Sequence, residues 1–187
     1  NQKDETMDNQ QERFDLELAW LAGIIEGEGW ISLSIVKSLK RTGKIYPAFV
    51  PNIGVVNTDE ILMIKVRQIW DKLGLKYRKQ IVEPYVGKDN ISRKRKWQMS
   101  VCSKVNVLIL SNAIYPFMFG EKKNRIDKLY EFYKIREQKP RSGPNSIYGK
   151  EEYLLYKSLY SYRGKSRSKI LNDLTLDEIL KSFEDKV

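Results

Sequence analysis

The sequence contains no histidine. Imidazole can therefore serve neither as base nor as metal ligand, which excludes Ser-His-Asp and Cys-His catalysis and histidine-bound zinc. Cysteine is almost as scarce. Cys102 stands alone, so neither an internal disulfide nor a cysteine-held metal cluster can form. No apolar run approaches the roughly 20 residues needed to span a bilayer. Residues 1–13 are polar and of mixed charge, unlike a signal peptide. The expected setting is intracellular, cytoplasmic in a prokaryote or organellar otherwise, with no membrane partner. Acid is the minority charge, with 24 Asp and Glu against 34 Lys and Arg, a net +10. Such an excess suits a polyanionic partner. Without imidazole or paired thiols, an enzyme is left with lysine, tyrosine, or carboxylate and a hard metal. Carboxylate with Mg²⁺ is the commonest of these for phosphate chemistry.

What is present divides into a lead, a core and a tail. The length of 187 residues suits one compact domain with an appendage. Residues 1–14 read as a flexible N-terminal segment and 15–138 as the core. Residues 139–187 read as a Pro/Gly/Ser-bearing linker and a C-terminal helical extension. Within the core, Asp15 is the expected N-cap of a helix over 16–28, with Gly29 ending it. Alternation then gives strands over 30–37 and 45–57, the second expected to bulge or lie at an edge at Pro47 and Pro51. A helix from Thr58 or Asp59 to Leu73 follows, with Ile61, Leu62, Ile64, Ile69 and Trp70 expected inward. Strands over 75–85 and 93–103, a helix over 105–114 and a longer one over 121–138 complete the core. The class is α+β, with antiparallel hairpins and the helices on one sheet face.

The other sheet face reads as basic. In one strand Lys94, Lys96, Gln98 and Ser100 share a side; in its neighbour Lys76, Arg78 and Gln80 do. The first hairpin adds Lys37, Lys40, Arg41, Lys44 and Tyr46. A twisted β-ribbon fits the major groove, where such side chains reach base edges and phosphates. The opposite row, Arg93, Arg95, Trp97, Met99 and Val101, is expected beneath the helices. In the tail, Arg163, Lys165 and Arg167 form a basic loop. It either extends a nucleic-acid contact or belongs to a packing appendage.

The first core helix carries the most specific signal. Ala19, Gly23 and Gly27 are spaced by four and share a face, where small residues let another backbone approach. Glu26 and Glu28 fall in the last turn, where the helix end is already negative. A carboxylate held against that field suits a divalent cation. The stretch Leu21-Ala22-Gly23-Ile24-Ile25-Glu26-Gly27-Glu28-Gly29 resembles the signature of the LAGLIDADG homing endonucleases, and the order of elements resembles their αββαββα fold.

The resemblance implies a saddle of antiparallel hairpins on double-stranded DNA. It implies a homodimer, because the chain holds one motif, with Ala19, Gly23 and Gly27 at the seam. It also implies hydrolysis of both strands of a long pseudo-palindromic site, leaving short 3′ overhangs. Glu28 matches the metal-binding acid, with the Gly27 carbonyl beside it and Glu26 in a supporting role. Mg²⁺ is the implied cofactor; Mn²⁺ is expected to substitute and Ca²⁺ to occupy the site without turnover. Asn57 matches the amide at the end of the second strand, and Lys122, or Lys123 one residue on, matches the active-site lysine. The alternatives are an RNA maturase acting on intron RNA and a DNA-binding protein that no longer cuts.

Overall fold

A computed structural model describes residues 2–39, 45–87, 89–139 and 148–160. The first helix is longer than its polarity suggests: α1 runs Gln2–Glu28. Asp15 lies inside it rather than capping it, and accepts a hydrogen bond from Gln11 Nε2 at 2.8 Å. The polar lead is rich in good helix formers and has neither glycine nor proline before Gly23. The helix therefore extends back through it.

Next come β1 (Gly29–Leu39) and β2 (Ile45–Asn57), then α2 (Glu60–Lys72). Asp59 caps α2, its Oδ1 accepting from the N–H groups of Ile61 at 2.8 Å and Leu62 at 3.1 Å. Its buried face is Met63, Val66, Ile69 and Trp70. Ile61 is 79% exposed and Ile64 also faces outward, contrary to the expected inward set. The apolar stripe begins one turn into the helix, at Met63. Gly74, with φ +67°, takes the left-handed conformation that ends α2.

The second strand pair is broken into β3 (Arg78–Val82), β4 (Tyr85–Val86), β5 (Ser92–Arg93) and β6 (Lys96–Val101). The expected continuous strands are interrupted at Pro84, which has no N–H for the ladder. Beside the break, Arg95 pairs with Glu83 at 2.7 Å. The short β4–β5 ribbon turns at Asn90, with φ 57°. Then come α3 (Lys104–Ile114), capped by Ser103, and a 3₁₀ turn at Tyr115–Phe117 containing Pro116. The described chain ends with α4 (Gly120–Gln138) and α5 (Lys150–Tyr160). No described helix is long and apolar enough to cross a membrane.

The main sheet has the order β1-β2-β6-β3. β6 is antiparallel to both neighbours, with Ser100 opposite Gly54 and Arg78, and Gln98 opposite Val56 and Gln80. The chain packs as two compact units that interleave in sequence: Asn1–Ile31 with Asn52–Asn124, and Ser32–Pro51 with Arg125–Val187. This division cuts across the segment 15–138, since β1, β2 and α4 each include residues of both units, and leaves 139–187 within the second. The first unit buries Leu21, Ile25, Ile53, Val55, Val66, Trp70, Met99, Val101 and Leu110. The second buries Leu33, Phe49, Ile126, Leu129, Phe132 and Tyr156. Each large apolar side chain contributes roughly 1.5–3 kcal/mol on burial. In the first unit, Glu17 of α1 forks onto Lys65 at 2.8 Å and Lys72 at 2.6 Å of α2. Hydrogen bonds from Lys65 and then Lys72 hold its carboxyl below the usual range.

Candidate active site

The motif helix passes into β1 without a loop, and Gly29 is the reason. A Cβ there would lie 2.7 Å from the carbonyl oxygen of Ile25 and 2.9 Å from that of Gly54. Backbone crowds it on both sides, so only glycine fits this junction. The junction fixes Glu28, the last residue of α1, which is exposed. Gly23 and Gly27 differ from Gly29. A Cβ at either would meet nothing within 4 Å. Packing within the chain does not demand their smallness. Leu16, 70% exposed, and the exposed Trp20 recur at helical spacing with these glycines, and half-exposed Ala19 lies alongside. The face is open and apolar, and small at Ala19, Gly23 and Gly27.

The end of the motif helix is held by the head of α4. Lys122 Nζ donates to the carbonyl oxygens of Ile25, at 2.5 Å, and of Glu26. The Glu26 carboxylate accepts the N–H of Phe119 at 3.3 Å. Gly120, with φ +71°, makes the intervening left-handed turn. A cation on the last-turn carbonyls offsets the negative end of the helix, where Glu26 and Glu28 add further negative charge. Lys123 goes elsewhere: its Nζ lies 4.5 Å from the centroid of the Tyr115 ring. Geometry thus brings Lys122 to the motif and Lys123 away from it.

Asn57 ends β2, three residues beyond the Gly54 that touches the junction. Its Oδ1 accepts the Asp59 N–H at 2.9 Å, an Asx turn leading into α2. The oxygens at the end of α1 are the Glu28 carboxylate and the Gly27 carbonyl, hard donors that suit Mg²⁺ or Ca²⁺ rather than softer metals. Among the described residues, no three His, Cys, Asp or Glu side chains come together to hold an ion.

The register places Arg78, Gln80, Lys96, Gln98 and Ser100 on one sheet face, as alternation implies. Ile53, Val55, Met99 and Val101 lie on the other and are buried. Lys76, Arg78, Gln80 and Lys94 are exposed, and Lys96 and Gln98 half-exposed. Ser100 is a correction: at 8% exposure it is buried mid-sheet between Gly54 and Arg78 and presents little to a ligand. Arg93 and Arg95 are corrections too. They lie exposed before β6, paired with Asp89 and Glu83, not beneath helices. The side chains of Lys37 and Tyr46, and all of Lys40, Arg41, Lys44, Arg163, Lys165 and Arg167, lie outside the described residues.

Sequence reasoning missed Trp30. Its Nε1 donates to Asn52 Oδ1 at 3.1 Å, and its ring covers Gly54, where a Cβ would lie 2.2 Å from the indole. A lone glycine in a β-branched strand was the available signal of a close approach.

Neither a protein-family model nor a curated protein matches the chain. Solved structures do. The homing endonuclease I-CvuI, in complex with the I-CreI target, superposes with a TM-score of 0.64 at 15% identity, over 92% of this chain and 96% of that one. The archaeal intron-encoded homing endonuclease I-Vdi141I, complexed with DNA, gives 0.62 at 18% identity, over 91% and 96%. The LAGLIDADG homing endonuclease I-GzeII, with its DNA target, gives 0.52 at 13% identity, over 87% of this chain but 50% of that longer one. With its nine-residue motif at the end of α1 and this sheet order, the chain has the fold of the LAGLIDADG homing endonucleases.

Proposed function

We propose that the protein is a site-specific DNA endonuclease of the homing type. It acts as a homodimer on a long, pseudo-palindromic duplex and hydrolyses both strands with a divalent metal, leaving short 3′ overhangs. The observation that carries this reading is the end of the motif helix. There the backbone that carries the exposed Glu28 carboxylate is set by a glycine junction, and a lysine from the head of α4 sits on the same turn.

The open face of Leu16, Trp20, Gly23 and Gly27 supports the dimer. An exposed apolar stripe with two glycines costs helix stability, about 1 kcal/mol per glycine against alanine. Close approach of a second motif helix would offset that cost. One chain brings a single motif and covers half of I-GzeII, which fits a protein needing a second copy.

Glu28 and the Gly27 carbonyl would hold Mg²⁺ at this seam, with the equivalent oxygens of a second copy completing the donor set. A bound divalent ion polarises the scissile phosphate, lowers the pKa of a water and stabilises the leaving oxygen. The chain's own residues do the rest. Lys122 places positive charge beside the phosphate path and keeps the last turn of α1 closed. Asn57 Oδ1 is committed to its turn, so its amide N–H groups are what it can offer a water or phosphate. Arg78, Gln80, Lys96 and Gln98 present donors to the duplex.

The test is cleavage of a randomised duplex library with Mg²⁺ and with EDTA, reading the cut ends. The expected result is one recurring, near-symmetric site cut on both strands with short 3′ overhangs, only with metal. Intact DNA under all conditions would reject the reading.

A further inference from the structure

The main sheet carries two half-exposed tryptophans, Trp30 near the start of β1 and Trp97 in β6, and both belong to the first compact unit. They lie on opposite faces. Trp97 alternates with Gln98 along β6, so it shares a side with buried Met99, away from the basic row. The side of Trp30 follows from the register. Gly54 stands opposite Ser100, which stands opposite Arg78, and residues opposite one another in antiparallel strands direct their side chains to one face. A Cβ at Gly54 would therefore point into the face of Arg78, Gln80, Lys96 and Gln98. The nearest atoms it would meet there belong to the Trp30 indole. An aromatic ring thus lies within the basic face.

The one polar atom of that ring is committed. Nε1 donates to Asn52 Oδ1 at 3.1 Å, and Asn52, two residues from Gly54, directs its side chain to the same face. The exposed part of the indole is C–H and π surface, with no free donor. Its place along the chain is equally specific. Only Gly29 separates Trp30 from Glu28, and at about 3.3 Å of rise per extended residue the two Cα atoms lie roughly 7 Å apart. Gly29 is itself pressed against the carbonyl of Gly54, so the acid and the indole flank a junction set on one glycine.

Such a surface suits one part of a duplex. Without a free donor it cannot read a base edge by hydrogen bonding, and the faces of paired bases are stacked away from it. The negative face of a π system is no seat for a phosphate. What remains beside a phosphodiester is the apolar C–H surface of the sugar. We infer that Trp30 is a substrate-contact residue, its indole seating a deoxyribose next to the scissile phosphate, with Asn52 a positioning residue that holds the ring over Gly54. This role rests on the endonuclease reading. It gives the basic face a contact that sets how the duplex lies against Glu28 and is blind to base sequence.

The experiment uses the full chain labelled with 5-fluorotryptophan, in which each of the four indoles gives its own ¹⁹F line, and the duplex selected by cleavage. Trp30→Phe and Trp97→Phe assign the two lines of interest. Binding of the duplex in EDTA should shift the Trp30 line and leave the Trp97 line in place. A Trp30 line unmoved by a bound duplex that the protein cuts with Mg²⁺ would overturn this role alone. That titration is made on the wild-type chain, so it decides even where a variant folds poorly. Single-turnover cleavage then compares Trp30→Leu, Asn52→Leu and the double variant. Trp30→Leu should lower the maximal rate about tenfold, as for a substrate held slightly out of place, with preference unchanged at every base pair. Asn52→Leu should lose part of the same rate and add nothing in the double variant, because it acts through the ring. Additive losses, or a preference relaxed at one base pair by Trp30→Leu, would likewise overturn this role. A wild type that cuts no duplex would reject the endonuclease reading, and this role with it.

Discussion

The ammonium of Lys122 donates to the carbonyl oxygen of Ile25 at 2.5 Å, closing the last turn of a helix that lies 97 positions earlier in the chain. That contact resolves which of two adjacent lysines meets the motif, since Lys123 lies over Tyr115. It also accounts for two acids at a negative helix end, because the cation offsets the field that would disfavour them.

Replacing Lys122 with glutamine should therefore lower the cleavage rate on the order of 10²-fold, the scale expected of a group that assists charge or proton movement at the reacting phosphate. Lys123→Gln should stay within about threefold of wild type, as expected where no such assistance is lost. Affinity for the site should be retained in both. Single-turnover rates alongside binding isotherms measure this. Equal losses in the two variants would contradict the assignment.

Gly23 separates the needs of the single chain from those of the proposed dimer. A Cβ there meets nothing within the chain. In the isolated subunit, Gly23→Ala should therefore gain up to about 1 kcal/mol from helix propensity. In the dimer the same methyl should hold the two motif helices apart and weaken association. Sedimentation at graded concentrations, alongside denaturant unfolding of the dilute subunit, checks both signs. A variant with a tighter dimer would contradict the seam.

Arg78 stands exposed in β3, opposite Ser100 on the basic face. Arg78→Ala should weaken binding and reduce the slope of log affinity against log salt by about 1, one phosphate contact. If it instead reads a base, the slope should hold while selectivity relaxes at one position. An unchanged slope and an unchanged site preference would remove Arg78 from the interface.

Glu152 gives a pH signature. Its carboxyl lies below the usual range in the folded chain, because Lys139 and Gly149 bind the charged form strongly enough to outweigh burial. The stability it contributes is present above the unfolded-state value of about 4.3 and is lost as pH falls through the lower folded value. Glu152→Gln should cost about 3 kcal/mol near neutral pH, the low end for breaking a buried pair, since Lys139 and Arg136 keep some access to water. That difference should shrink as pH falls below the usual carboxylate range. Urea unfolding between pH 7 and pH 3 measures it, and a pH-independent difference would contradict the ion pair.

Much of this molecule was legible in the sequence. The order of elements followed from apolar period and turn residues, and the sheet face of Arg78, Gln80, Lys96 and Gln98 followed from alternation. The Asp59 cap and the stop at Gly74 followed from residue chemistry. What escaped notice depends on tertiary neighbours. A local rule makes Asp15 a cap, but nothing in residues 2–14 resists helix, so the helix continued. Ile61 is apolar yet points outward, because the packing stripe of α2 is set by the sheet beneath Met63 and Val66. Ser100 lies mid-strand on a basic row, but between two neighbouring strands it is buried, which alternation along its own strand does not show. The lysine ambiguity at 122 and 123 could not be settled by composition, since only the path of the 3₁₀ turn and Gly120 decides which reaches α1. Glu152 was invisible for the same reason: its cationic partners, Lys139 and Arg136, lie 13 and 16 residues away.

The most direct measurement of the proposed activity compares wild type with Glu28→Gln on the selected duplex, following binding and Mg²⁺-dependent cutting separately. The isosteric amide removes a charged metal ligand while leaving the junction at Gly29 intact. Binding should stay within about threefold of wild type, about 0.7 kcal/mol or less, and cleavage should fall by at least about 10³-fold, the loss expected when metal assistance is withdrawn. Cutting at the wild-type rate by Glu28→Gln would contradict the role proposed for Glu28.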